Sequence, residues 1–419
     1  MSISSRQVQW GLLISTLVVY GTYAIFLSDS RLVGDEARYL DGAAALLGGH
    51  FVSPENPEII NGPGYPVLLA PMVSLGFSLE AMRAANAVLM ALASWFSYRA
   101  TAPYAGRQWA LGVALAVAFH PMMLRSAPHV LSEGLATFCI AGFGWAATTL
   151  LRRDQPGKVL PVVCVLALAW LVLTRVLFGY VLVAMILAVL ACAAILRRMT
   201  SVWRRAFVVL VLAFAACVPY LAYTYQLTGQ VFKWSTNGGE LLYWATSTNP
   251  GERGNWFSER HVFSQPELAR NHAEFFRNLQ PLPALEREAA FRMRAMENIQ
   301  ANPVGVLGNW VANVNRLFFG FPRSFHLEEA LTTLKVLVQI PILLLGVLAL
   351  FCMAKWPRQI QPEIWLLSGL TIVYLGLSSV LPALPRYFVV VLPWIGIVTA
   401  ATLGPRMQIR LTQVPREGG

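Results

Sequence analysis

Residues 35–39, Asp35-Glu36-Ala37-Arg38-Tyr39, set two carboxylates, a guanidinium and a phenol side by side where the first long apolar run, residues 8–27, ends. Such a set has acid/base capacity and can grip an anion. Ionisable residues at the lip of a membrane are functional-site candidates, and a lipid phosphate would arrive at this level. The expectation is chemistry on a lipid-borne substrate. A second carboxylate, Glu133, opens another apolar run two turns after Arg125. Isolated there it would be costly, so it needs a partner or water. With His129, one turn earlier, it could orient an acceptor, or with Asp35 it could bind a hard cation through oxygen ligands. The bland alternative is a solvated lip.

The elements that must position these residues follow from composition. The 419 residues are 56% hydrophobic and only 13% charged, with a mean hydropathy of +0.55, which describes an all-α polytopic membrane protein rather than a soluble fold. About ten apolar runs approach the ~20 residues that cross a bilayer. They fall near residues 8–27, 81–99, 109–124, 131–151, 159–173, 177–196, 207–225, 331–353, 364–381 and 387–403. The net charge of +11 is not a nucleic-acid patch, because basic residues recur in every second connection: Arg6; Arg99 and Arg107; Arg152, Arg153 and Lys158; Arg197, Arg198, Arg204 and Arg205; Lys355 and Arg358; Arg406, Arg410 and Arg416. The positive-inside rule makes those connections, and both termini, cytoplasmic. The alternate connections hold nearly all the acids and are expected outside.

On that map Arg38, Arg175 and Arg386 lie on the outer side at helix ends, where guanidinium groups could fork onto phosphate oxygens. The competing role is snorkelling to headgroups. Tyr39, Tyr65 and Tyr387 sit at the same level and could line a cavity or anchor the interface. The five cysteines fall one per apolar run, a spacing that suits neither disulfides nor a Cys-based zinc site. Arg6 alone precedes the first run and no small-x-small cleavage site follows it, so that run reads as a retained anchor.

Three parts are expected: membrane helices with the first outer loop over residues 1–225, a large outer loop over 226–329, and closing helices with a tail over 330–419. In the first part, residues 40–47 form a short helix and 54–64 a Pro/Asn/Gly-rich loop. In the second, a helix over 284–299 carries a Glu288/Arg292 pair, and Asn302-Pro303 caps a further helix. Its apolar stripe, Val304, Leu307, Val311, Val314 and Phe318, faces away from Asn309, Asn313 and Arg316, as in a helix lying on a bilayer. No Walker or Rossmann glycine motif is present, and the cytoplasmic connections are too short to hold a nucleotide.

Gly34-Asp35-Glu36-Ala37-Arg38-Tyr39 followed by Asn61-Gly62-Pro63-Gly64-Tyr65-Pro66 resembles the GT-C glycosyltransferases, in their bacterial branch of aminoarabinose and protein O-mannosyl transferases (glycosyltransferase family 39-like). His120-Pro121 through Ser132-Glu133-Gly134, Leu173-Thr174-Arg175, residues 233–239 (Lys-Trp-Ser-Thr-Asn-Gly-Gly) and Leu384-Pro385-Arg386-Tyr387 match later family segments in order.

The resemblance implies a GT-C fold with short amphipathic outer helices and an active site on the periplasmic face of a bacterial inner membrane. It implies a polyprenyl-phosphate-linked sugar as donor. The acceptor is a glycolipid, a glycan or an exported protein, with membrane lipids around and no nucleic acid. By the family pattern Asp35 removes the acceptor proton, with inversion. Glu36 is a second catalytic candidate whose i+1 position aims it elsewhere, with holding Arg38 its simpler role. Arg38, Tyr39, Tyr65, His129, Glu133, Arg175 and Arg386 are the candidate substrate contacts. No metal site and no required cofactor are expected, a divalent cation at Asp35 and Glu133 being the variant considered. The sequence departs from the family at Asn61, where related transferases often carry lysine or histidine, so the donor phosphate is expected to meet another cation. Trp234, Trp244 and Trp256 are candidates for stacking on a sugar. The alternatives are a secondary transporter or lipid-linked-sugar flippase, whose charges would lie near the midplane of repeated halves, and a non-catalytic assembly subunit, which would leave the Asp35 cluster unexplained.

Overall fold

The structure, a computed structural model, describes residues 5–26, 31–325 and 332–407, and among these it is helical with no strand. That is what lipid demands: an apolar chain in a bilayer must satisfy its backbone internally. The expected positions at residue 27, at 326–331 and at Arg410 and Arg416 fall outside the described residues.

The first part runs through α1 (Ser5–Phe26), α2 (Glu36–Leu47), α3 (Gly64–Ser74), α4 (Leu79–Ala118), α5 (Pro121–Ser126), α6 (Ser132–Arg152), α7 (Val159–Thr174), α8 (Leu177–Ile195) and α9 (Ser201–Thr228). The outer loop folds into α10 (Gly238–Thr246), α11 (Glu259–Ser264), α12 (Pro266–Leu279), α13 (Ala284–Ala301) and α14 (Pro303–Phe319). Then come α15 (Thr332–Lys355), α16 (Pro362–Val380), α17 (Pro385–Val390) and α18 (Leu392–Leu403). By length and composition, α1, α6, α8, α9, α15 and α16 can each cross a membrane, and α3, α7 and α18 are shorter apolar helices.

Every apolar run of the sequence is mainly helical in its described residues, with boundaries and breaks set by identifiable residues. The runs at 81–99 and 109–124 become the two limbs of α4, which fold back at Gly106 (φ +76°) and are tied by Ser94 Oγ donating to the Ala114 carbonyl at 2.9 Å. The second limb stops before 124, because Pro121 holds His120 extended and a new helix starts after it. Helix α2 begins four residues before the expected 40, so Asp35 and Glu36 occupy its N-terminus, where the helix dipole favours acids.

Contacts join the connections within each of the two sets that the sequence distinguishes, the basic one and the acid-bearing one. At the basic end Arg205 donates to the carbonyls of Arg153 and Asp154, both at 2.7 Å, and Arg406 donates to Gln359 Oε1 at 2.9 Å. At the acidic end the first outer loop meets the outer helices: Thr236 N–H donates to the Ile59 carbonyl at 2.7 Å and Ala284 N–H to Asn56 Oδ1 at 2.7 Å. The largest apolar core lies mainly among α6, α7, α8, α9, α16 and α18. The outer helices have their own, built around Tyr243, Trp244, Phe276 and Phe291.

Helix α14 is turned inside out. Asn309, Asn313 and Arg316 are buried, while Val304, Leu307 and Val311 are exposed. Its polar face is consumed by the protein, with Asn309 donating to the carbonyls of Ala245 and Ser247 at 3.1 and 2.6 Å. The apolar face is left on the surface, as expected of a helix that lies on a bilayer. Reporter fusions at Asp154 and Gly254 should therefore give opposite sides of the membrane; the same side for both would refute this orientation.

Candidate active site

Gly34, at φ +62°, turns the chain so that Asp35 becomes the residue before α2. Asp35 makes no side-chain cap to that helix, so its carboxylate is left for other groups. Oδ1 accepts from Arg38 Nη1 at 3.3 Å and Oδ2 from Arg386 Nη1 at 3.1 Å. The same Nη1 lies 3.5 Å from Glu133 Oε1, and Arg175 Nη2 is 2.7 Å from that oxygen. Asp35, Glu133, Arg175 and Arg386, scattered over 350 residues of sequence, thus form one charge cluster.

The cluster is incompletely satisfied. Despite these ion-pair distances, neither Glu133 oxygen, nor Nε and Nη2 of Arg175, nor Nε of Arg386 makes a hydrogen bond of good geometry. The Tyr65 hydroxyl and Asn61 Nδ2 are also buried without a partner. Unpaired buried polar groups are expensive, so a ligand that supplies partners gains from their preorganisation. Asp35, His129, Glu133 and Arg386 line a cavity of about 1010 Å³, whose other walls come from the outer helices and the 320–325 segment.

Arg175 is placed by a close backbone contact. A Cβ on Gly62 would sit 2.0 Å from the Leu173 carbonyl oxygen, and one on Gly64 would sit 2.7 Å from the Thr174 nitrogen. Trp170 Nε1 donates to the Gly64 carbonyl at 2.8 Å. Two of the sequence motifs, residues 61–66 and 173–175, are therefore one packed unit. Tyr39 donates or accepts at Ser132 Oγ (2.8 Å) and packs edge-on against Tyr65 at 5.0 Å. Burial pushes its phenol up to about 12, so it acts as a neutral group. Tyr387 lies under both Arg175 and Arg386, at 6.0 and 5.8 Å.

Two expectations change. Glu36 does not face the cavity or hold Arg38: it is fully buried and clamped by Arg83 Nε and Nη2 (3.2 and 3.1 Å) and by the N–H groups of Val130 and Val33 (2.6 and 2.8 Å). Burial pushes its carboxyl up, but Arg83 and the two backbone donors outweigh that and hold it below the ordinary glutamate value. Its role is to fix α2. His129 likewise pairs with Glu36 (Nδ1 to Oε2, 3.8 Å) rather than with Glu133, whose partners are arginines. Trp234 and Trp244 are core residues with no exposed surface; only Trp256 is exposed, bonded to Glu240 at 3.1 Å. Arg38 is exposed and, among the described residues, forms its ion pair with Asp35. Arg83 was not singled out from sequence, although a charge one turn into an apolar helix signals a buried partner.

Among the described residues no group of three or more His, Cys, Asp or Glu could hold a metal ion. The place a cation shared by Asp35 and Glu133 would take is filled by the Arg386 guanidinium.

No family model and no curated protein matches the sequence. Solved structures do. The oligosaccharyltransferase AglB from Archaeoglobus fulgidus, in complex with an inhibitory peptide and a dolichol-phosphate, overlays 96% of this chain on 50% of its own with a TM-score of 0.53 at 14% identity. The same organism's enzyme tethered to an acceptor peptide gives 0.56, with 95% and 49% coverage at 14% identity. ArnT from Cupriavidus metallidurans, bound to undecaprenyl phosphate, covers 94% and 78% at 16% identity, but its TM-score of 0.42 is too low to carry an argument. The chain spans about half the length of the oligosaccharyltransferase structures and shares the GT-C fold.

Two consequences are measurable in detergent-solubilised protein. Gly62→Ala should destabilise by at least ~1–3 kcal/mol, since both sides of the contact are backbone and cannot give way; an unchanged unfolding temperature would contradict the packed unit. Glu36→Gln, which removes the carboxylate charge that faces buried Arg83, should cost about 3–5 kcal/mol. The lowered Glu36 carboxyl contributes stability that is full above the ordinary glutamate value and lost as pH falls through its folded value. Wild type should accordingly lose its advantage over Glu36→Gln as the pH falls from the ordinary glutamate value through that lowered one.

Proposed function

We propose that this chain, on its GT-C fold, is a membrane glycosyltransferase that moves a hexose or pentose from a polyprenyl-phosphate donor to an acceptor on the periplasmic side of a bacterial inner membrane. The observation that carries this reading is the Asp35 carboxylate, which makes no cap bond to its helix, facing a large cavity beside the under-satisfied Arg175 and Arg386 at the acidic, outer end. The likeness to a structure containing dolichol-phosphate supports the choice of donor.

Each group has a task in the reaction. A sugar phosphodiester leaves readily, so the donor side needs charge neutralisation rather than a strong acid. Arg175 and Arg386, with the Tyr65 hydroxyl, supply donors to the departing phosphate. The acceptor hydroxyl attacks the anomeric carbon as Asp35 takes its proton. The new bond is carbon to acceptor oxygen; the bond to phosphate oxygen breaks, its electron pair leaves with the phosphate, and configuration inverts. Where the acceptor nucleophile is already a phosphate oxygen, Asp35 orients it. An apolar cleft of about 170 Å³ between α15, α16 and α18 reaches Phe388, two residues beyond Arg386, and offers the prenyl chain a path. The reading routes no step through a metal. The acceptor is an envelope glycolipid, a polysaccharide or an exported protein.

Purified protein should transfer sugar from a lipid-linked donor without nucleotide, and Asp35→Asn should lower turnover by ~10²–10⁴-fold while donor affinity stays within a few-fold. Near-normal turnover in that variant, or use of a nucleotide sugar in preference to the lipid donor, would overturn the assignment. Mass spectrometry of envelope lipids and exported proteins with and without the gene would then identify the acceptor.

A further inference from the structure

Arg386 meets two carboxylates with a single nitrogen. Its Nη1 lies 3.1 Å from Asp35 Oδ2 and 3.5 Å from Glu133 Oε1, while its buried Nε makes no hydrogen bond. A guanidinium is planar and rigid, and Nη1 stands on its Cδ side, away from the edge that Nε shares with Nη2. Asp35 and Glu133 therefore take one side of the group and do not use the Nε–Nη2 edge, which is suited to forking onto two oxygens of a phosphate.

Neighbouring residues hold this arrangement in place. Pro385 opens α17, the N–H of Ala383 donates to Asn313 Oδ1 at 3.3 Å, and the Tyr387 ring centre lies 5.8 Å from the Arg386 guanidinium carbon. Arg175 Nη2, 2.7 Å from the same Glu133 oxygen, holds that carboxylate as well. On Asp35, Arg38 takes Oδ1 at 3.3 Å, so each oxygen meets one cation and keeps a second lone pair for an acceptor hydroxyl.

We infer, on the reading of this cavity as the transfer site given above, that Arg386 is a two-sided spacer. Nη1 orients the base while the Nε–Nη2 edge receives the donor phosphate, so one rigid group sets the distance between base and leaving group. Hydrogen bonds of ordinary length on opposite sides of a guanidinium put the oxygens of the two anions about 7 Å apart. That gap holds what a single displacement must place between them: the acceptor oxygen, hydrogen-bonded to Asp35, and the anomeric carbon. In glycoside hydrolysis the same difference separates inverting sites, with carboxyl groups about 6.5–9.5 Å apart, from retaining ones at about 5–5.5 Å, where a carboxylate itself attacks the sugar. Asp35 thus takes the proton of the acceptor hydroxyl as that oxygen bonds to the anomeric carbon. The bond from the carbon to the phosphate oxygen breaks, its electron pair leaves with the phosphate, and Asp35 is held too far from the carbon to form a sugar ester. From sequence Arg386 is a phosphate-binding candidate only, because its contact with Asp35 joins residues 351 positions apart.

The test is the binding of undecaprenyl phosphate to full-length protein in detergent, measured over a cycle of variants. Asp35→Asn should weaken binding about threefold, because Nη1 loses its anchor and the opposite edge its preorganisation. Charge repulsion alone predicts the reverse, since removing a carboxylate near the phosphate tightens binding. Arg386→Gln should itself bind about tenfold more weakly, and in that background Asp35→Asn should no longer weaken binding. Should Arg386→Gln fail to fold, Arg386→Lys, which keeps the charge without the second edge, serves as the background with the same expectation. Tighter or unchanged binding in Asp35→Asn, an equal shift with and without Arg386, or undiminished binding in the Arg386 variants would overturn the spacer. No binding of undecaprenyl phosphate to wild type would instead overturn the donor assignment on which the spacer stands.

Discussion

The buried ion pair between Glu36 and Arg83 is the constraint on which the site depends. It joins the start of α2 to the start of α4, and the remaining lone pairs of the carboxylate take the N–H groups of Val33 and Val130. A fully buried pair of this kind contributes little net stability over an apolar alternative, yet it tolerates only one arrangement, since either charge left alone is costly. Because Glu36 is locked inward, its neighbour Asp35 must face the other way, into the cavity. The position of the proposed base is thus set by a residue buried away from the cavity.

Two further contacts bring the remaining groups to Asp35. The glycines at 62 and 64 let the first outer loop lie directly on the backbone of residues 173–174, which delivers Arg175 to Glu133. Paired bonds between Ile59 and Thr236, through N–H to Oγ1 at 2.8 Å and N–H to carbonyl at 2.7 Å, fasten the outer helices to that same loop. Arg386 completes the cluster by bridging the two carboxylates from α17. None of these contacts alone makes a site; the cavity exists because all three converge on α2.

Helix α14 relates the cavity to the membrane. A surface helix usually buries its apolar stripe, but in lipid the cost is reversed and the polar face must find partners inside the protein. Asn309, Asn313 and Arg316 do this by holding the segments around residues 245–253 and 322. The helix whose exposed face carries Val304, Leu307 and Val311 therefore also forms part of the cavity wall. Behind it, Glu252 is kept charged in a buried network with His272 (2.7 Å) and Ser247 (2.7 Å), which stiffens the same wall.

Hydropathy, charge alternation and short motifs were enough to read the class, the helices and most of the cluster, for a physical reason. A bilayer imposes one length, one secondary structure and one charge asymmetry on every span, so local sequence carries that information directly. Asp35, Arg175 and Arg386 were legible because charge beside an apolar run is conspicuous. What tertiary structure decided was the pairing. Whether a lip carboxylate is a base or a brace depends on which guanidinium lies across from it, and neither Arg83 for Glu36 nor Arg386 for Asp35 is near in sequence. The burial of Trp234, Trp244 and Arg316 has the same origin: it is a property of neighbours brought together from distant segments, which no local pattern encodes.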